Sequence, residues 1–201
     1  MNEGFSVKEI GRKTLLGFSV GIAGIWIPII IANYADTVSD KLFPYLSMFN
    51  YYFIFILTGS TAGLIYKSFK AFIKGFSLSM IAIFLLETLK FLKLGGQAGF
   101  LFHLISFYLL PGFFIGLAVS WEGKKVKLVM SSIGGAIAQF IMVILTISLG
   151  EYLYKLTFSM PGISWISNAQ VLPYLLFGAL IWFFIGLAEE TYKIRFKPKI
   201  S

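Results

Sequence analysis

The chain has no cysteine, a single histidine and few charges: only 13% of its 201 residues are Asp, Glu, Lys or Arg. Without cysteine there is no disulfide, no thiol nucleophile and no thiolate metal ligand. A metal site needs several His, Cys or carboxylate ligands gathered in one place. One histidine and 9 dispersed acids do not supply them, so no metal or other cofactor is expected. Soluble domains carry roughly a quarter charged residues, whereas 58% of this chain is hydrophobic. A core of this size cannot hide that much apolar surface, and the excess must face lipid. The polar–apolar alternation of a membrane barrel is missing as well. What is present is long unbroken apolar runs, which in lipid must be helices because a helix satisfies its own backbone polar groups.

Six runs reach or approach the about 20 residues that a bilayer core requires: 15–34, 48–66, 72–92, 100–121, 126–149 and 171–188. With short connections they predict an all-α membrane protein, a single integral domain over 1–201 with no soluble domain. Lys8, Arg12 and Lys13 precede the first run, as in a signal peptide. No small-residue cleavage pattern closes that run and further spans follow, so it is read as part of the mature protein. The net charge of +8 invites a nucleic-acid reading. The basic residues stand at the ends of runs and form no stripe, which excludes that partner. With the N-terminus inside, 13 of the 17 Lys and Arg fall on inner segments and 4 on outer ones, a positive-inside bias. Both termini are therefore predicted cytoplasmic, in a multi-pass protein of the cell membrane. The basic C-terminal tail is placed near anionic lipid heads.

The runs pair into three hairpins whose returning helices end alike, in GSTAGLIY (59–66), GFFIGLAV (112–119) and WFFIGLAE (182–189). The hexapeptide FFIGLA occurs in the last two. Outgoing helices begin with small residues four apart, at Gly17/Gly21 and Ser131/Gly135, with Ser77/Ile81 as a poorer match. Two readings stand: a triplicated hairpin, or the shared composition of membrane helices. Under either, Gly17, Gly21, Gly59, Gly63, Gly112, Gly116 and Gly186 are read as packing residues. Glycines four apart let helix backbones approach closely, and packing replaces the hydrophobic drive that lipid removes.

Glu87 is the most anomalous acid. Twelve uncharged residues separate it from Lys74, fewer than a span needs, so helix three carries a charge into the core. Lys74 can snorkel to the surface. The Glu87 carboxylate is then either paired with Lys90 three residues on or turned toward an outward-open cavity. Asn50, His103 and Gln139 fall at similar depth and are candidate ligand-binding residues beside Glu87. The long segment 151–170 is either an interfacial aromatic anchor or a lid.

No catalytic constellation emerges, and a non-enzyme is expected. GSTAG with His103 resembles a rhomboid-type protease, but Ser60 and His103 fall at opposite faces, out of hydrogen-bond reach. AEETYKIR (188–195) resembles the EExxxR glutamate pair of the CPBP membrane proteases. Here four residues separate Glu190 from Arg195, and that family's histidine motifs are missing. DTVSD (36–40) resembles one of the two aspartate motifs of the membrane prenyltransferases, and no third aspartate exists for the second. All three fragments read as solvated loop or helix-end charge. In size, helix count and termini the chain resembles the S-components of energy-coupling-factor vitamin transporters. That resemblance is architectural and rests on no motif. It implies small-solute binding or transport, a docking face of Gly17, Gly21, Ser19 and Ala23, and a lid from segments 35–48 and 151–170. The alternative is a non-catalytic scaffold whose glycine faces bind other membrane subunits. Membrane lipids are partners in both.

Overall fold

The computed structural model describes residues 5–35, 43–91, 109–119, 125–157 and 168–196. Among these the protein is all-helical, with no strand. In chain order the helices are α1 (Val7–Ala35), α2 (Phe43–Ser60), α3 (Ala62–Tyr66), α4 (Phe69–Phe91), α5 (Leu109–Val119), α6 (Lys125–Thr157) and α7 (Asn168–Phe196). Two segments, Phe69–Leu89 and Lys125–Leu145, are long and apolar enough to cross a membrane. The whole of α6, at 33 residues, is about 50 Å long. It therefore runs on through Thr157, into the segment read from sequence as an outer loop. Of 151–170, residues 151–157 and 168–170 are helical, and 158–167 lie outside the described residues.

The starts of α1 and α4 are set by short polar side chains. Ser6 caps α1, its Oγ accepting from the Glu9 N–H at 3.3 Å, and Ser68 caps α4 in the same way through Ala71 N–H. The α2–α3 ladder is interrupted at Thr61, whose Oγ1 donates to the Leu57 carbonyl at 2.7 Å. Such back-bonding competes with the regular ladder and bends helices. Helix α3 ends at Lys67, which adopts a left-handed conformation (φ 49°) and donates its N–H to the Gly63 carbonyl. This tight turn reverses the chain into α4.

Helix α7 is the axis of the bundle. It packs along α1 on one side and α6 on the other. Phe177, Ile181, Trp182 and Ile185 are completely or almost completely buried. Trp182 Nε1 donates to the Thr58 carbonyl of α2 at 3.1 Å, and Phe55 meets Phe177 edge-on at 4.9 Å.

Glycines set how close the helices come. A methyl group built on Gly112 would lie 2.1 Å from the Gly135 carbonyl oxygen, and one on Gly135 2.0 Å from that of Gly112. Gly59 and Gly75 cross likewise (2.6 and 1.9 Å), as do Gly17 and Gly178 (2.2 and 2.3 Å). Thus α2 is tied to α4, α5 to α6 and α7 to α1, each by a reciprocal glycine contact. Gly63 abuts Phe72 of α4, and Gly21 is buried in α1. On α4 the buried small residues four apart are Gly75 and Ser79, whereas Ser77 and Ile81, matched from sequence spacing, are exposed. The spacing of four was right and its phase was two residues off. A shift of two residues turns a helix face by about 200°.

The outward faces are apolar. On α6, Val126, Val129, Ile133, Ile137, Phe140 and Ile144 are exposed and recur every three or four residues, one continuous stripe. Its opposite face buries Ser131, Ser132 and Gln139. Helix α4 exposes Phe69, Ile73, Phe76, Met80 and Phe84 in the same way.

Candidate functional site

The first residues of α1, the α3–α4 turn, the start of α6 and the last turns of α7 meet at one end of the bundle. This is the end that carries Lys8, Arg12, Lys67, Lys125, Lys127, Lys193 and Arg195. Beneath that basic rim lies a buried charge cluster. Glu189 and Glu190, adjacent on α7, are 3% and 1% exposed, and Lys13 of α1 is 4% exposed.

Glu189 gathers partners from three other helices. Lys13 Nζ donates to its Oε2, 176 residues away in the chain. Tyr66 Oη, from α3, donates to the same oxygen at 2.7 Å. Lys127 Nζ, from α6, stands 2.7 Å from Oε1. Lys13 also lies over the Tyr66 ring, 5.3 Å from its centre, a favourable cation–π placement. Burial pushes the Glu189 carboxyl up, but the Lys13 and Lys127 ammoniums outweigh that and hold it below the usual carboxylate range. The group is therefore ionised at neutral pH.

Glu190 points the other way, since adjacent helix positions are about 100° apart. Its Oε2 accepts the Ser6 backbone N–H at 3.1 Å, and its Oε1 pairs with Lys193. The segment Ser6-Val7-Lys8-Glu9 has the pattern of a capping box, in which Glu9 would reach back to the Ser6 N–H. Here Glu9 pairs with Arg12 at 2.9 Å instead, and Glu190 supplies the acceptor for Ser6 from α7. Arg12 reaches on to the Ile65 carbonyl at 3.2 Å, joining α1 to α3. Burial works against the charge on Lys193, but Glu190 raises its ammonium above the ordinary value.

The segment AEETYKIR was read as solvated helix-end charge, and the structure overturns that. Helix α7 continues through this segment: Glu189 is enclosed by α1, α3 and α6 and Glu190 is buried against the start of α1, while 193–196 are exposed. Lys13 and Lys127 are likewise more than orienting surface charges. A signal for them did exist: each stands four residues before a small residue at which another helix crosses, Gly17 and Ser131. Tyr66 carried no such signal, because only the interruption at Thr61 and the Lys67 turn place it over Glu189.

The residues picked out from sequence are not gathered at this site. Glu87 is half-buried on α4. Asn50 lies in α2 with its side chain outside the described residues, as is that of Lys90, and His103 lies outside them altogether. Gln139 is completely buried on α6, against the Gly112 crossing, and its amide has no hydrogen-bond partner among the described residues.

No protein-family model matches the chain, and no curated protein or solved structure matches it either.

Proposed function

We propose that the chain is a multi-pass membrane protein that binds or transports a small solute, with the Glu189 cluster closing the basic end of the bundle. The observation that carries this is the buried cluster itself. Ionised groups removed from water are costly even when paired, and an ionisable group buried within a membrane bundle is by default a candidate for a solute or ion pathway. The membrane setting has its own support. Helix α6 turns Val129, Ile133, Ile137, Phe140 and Ile144 outward and buries Ser131, Ser132 and Gln139 together with Ala138, Met142 and Val143, whereas a surface helix of a soluble protein turns its polar side chains outward. The segment Phe69–Leu89 has a mean hydropathy of 1.8 with only 22% of it buried.

The scaffold alternative drew on glycine faces open to partners. Gly17, Gly59, Gly112 and Gly116 are each covered by another helix of the same chain, which takes away its main motive. The same geometry bears on the S-component likeness. Gly17 is held against α7 and Gly21 is buried, so of the four small residues only Ser19 and Ala23 are exposed to a partner docking on α1.

The test is the melting temperature of the purified protein against a metabolite library. A ligand that binds the native state raises it saturably. A protein that responds to no small solute of any charge class, yet co-purifies stoichiometrically with another membrane protein, is a scaffold.

A further inference from the structure

We infer that Lys13, Lys127 and Tyr66 form a seat for the oxyanion group, carboxylate or phosphate, of a small soluble solute, and that Glu189 fills this seat as a tethered stand-in which the solute displaces. The inference rests on the solute-handling reading above and adds a substrate class to it.

Three features of the cluster carry it. The donors converge from three separate helices onto one carboxylate, and none belongs to the helix that bears it. Removal of the Glu189 side chain would leave one ammonium and a hydroxyl aimed at the place of Oε2 and a second ammonium beside the place of Oε1, which is the donor set of an oxyanion site. Next, the charges do not balance locally among the described residues. Glu190 is committed to Lys193 and the Ser6 N–H, and Glu9 to Arg12. Among the described residues Glu189 is the acid that faces both Lys13 and Lys127, so two ammoniums share one carboxylate there. Lastly, the cluster reaches the surface on one side, through the Lys127 side chain. The side chains of Lys13 and Glu189 are 6% and 4% exposed, whereas that of Lys127 is 27% exposed. An anion arriving from the basic rim meets Lys127 first. Lysine suits a hand-over, being a compact charge on a flexible stem with rotatable donors rather than a rigid fork. Because a buried ammonium left without an anion is strongly unfavourable, Glu189 leaves only as another anion arrives.

The experiment compares wild type, Glu189→Ala, Lys127→Ala and Glu189→Ala/Lys127→Ala by melting temperature at constant ionic strength. The probes are sodium acetate, inorganic phosphate, the neutral isostere acetamide, and short-chain phosphatidylglycerol. Acetate or phosphate is expected to stabilise Glu189→Ala saturably, while acetamide and added chloride do not. Wild type responds to the same anion at a concentration roughly ten-fold higher or more, since apparent affinity falls with the fraction of time the seat is vacant. The double variant loses the response. Should Glu189→Ala not fold, Lys127→Ala in the otherwise native chain still decides, since it must weaken the wild-type response to acetate or phosphate. Several results overturn the inference: acetamide acting as well as acetate, phosphatidylglycerol acting where soluble anions do not, or wild type silent to every anion. Stabilisation of wild type by a neutral or cationic metabolite, unchanged in Glu189→Ala, leaves solute handling standing and removes only the anion seat.

Discussion

The hexapeptide FFIGLA appears twice, and the two copies pack differently. In α5 (113–118) its glycine lies at a helix crossing: a methyl on Gly116 would come within 2.1 Å of the Ser131 carbonyl oxygen. In α7 (183–188) its glycine is looser. A methyl on Gly186 would meet Lys13 Cδ at 3.4 Å and the Ile10 Cα at 3.5 Å, which is ordinary contact. The first glycine brings two backbones together. The second stands three residues before Glu189 and leaves room for the stem of Lys13 to pass over α7 toward that carboxylate. Identical residues thus serve a crossing in one place and a charge cluster in the other. Register against the neighbouring helix makes the difference.

The sharpest way to break this comparison is to remove the charge that follows the second copy. Glu189→Ala leaves Lys13 buried without its anion, and a loss of about 3–5 kcal/mol is expected, as for other broken buried pairs. Unfolding of the purified protein in detergent measures it. A loss under about 1 kcal/mol, the range of exposed pairs, would mean that the cluster is solvated.

Gly116→Ala comes next. Its methyl would face a backbone carbonyl that cannot rotate away, so α5 and α6 must separate, at about 1–3 kcal/mol or more for overpacking. Gly112→Ala and Gly135→Ala should behave alike. Tolerance at all three sites in the same unfolding assay would remove the crossing from the account.

Acidification separates the two regions without mutation. The Glu189 pKa is depressed in the folded protein, so its ionisation contributes stability that is present above the unfolded carboxylate value. That contribution is lost as pH falls through the lower folded value. A melting-temperature profile taken down through the carboxylate range should therefore fall more steeply for wild type than for Glu189→Gln. Parallel profiles would assign the acid sensitivity elsewhere. The atoms that a methyl on Gly116 would meet are backbone atoms of Ser131 and Ser132, which do not titrate, and Gly116→Ala should leave the shape of the profile unchanged.

The smallest effect is expected at Gly186→Ala, within about 0.5 kcal/mol of wild type, as for substitutions that meet no special feature. Gly186→Leu sharpens the contrast. Its side chain competes with the Lys13 stem, so part of its effect should vanish in a Glu189→Ala background when the two are compared in a double-mutant cycle.

Composition alone led to an all-helical protein, because apolar runs this long have no other way to satisfy their backbones in lipid. The described helices α1, α4, α6 and α7 each contain or closely match one run. That glycines would carry close approaches was legible from their spacing. The partner of each glycine was not, because a helix face contacts whichever helix the tertiary fold brings alongside. Gly75 and Gly178, which complete two of the reciprocal crossings, carry no signal in the sequence for that reason. The charge cluster was least legible of all. A glutamate pair after an apolar run reads the same whether the helix ends in water or continues between other helices. Burial of Glu189 depends on Lys13, Tyr66 and Lys127, which lie far away in the chain and converge only when α7 takes the centre of the bundle. Local chemistry determined which residues could be helical and which could pack closely. The tertiary structure decided which charges lost their water, since desolvation is a property of the surroundings and not of the residue.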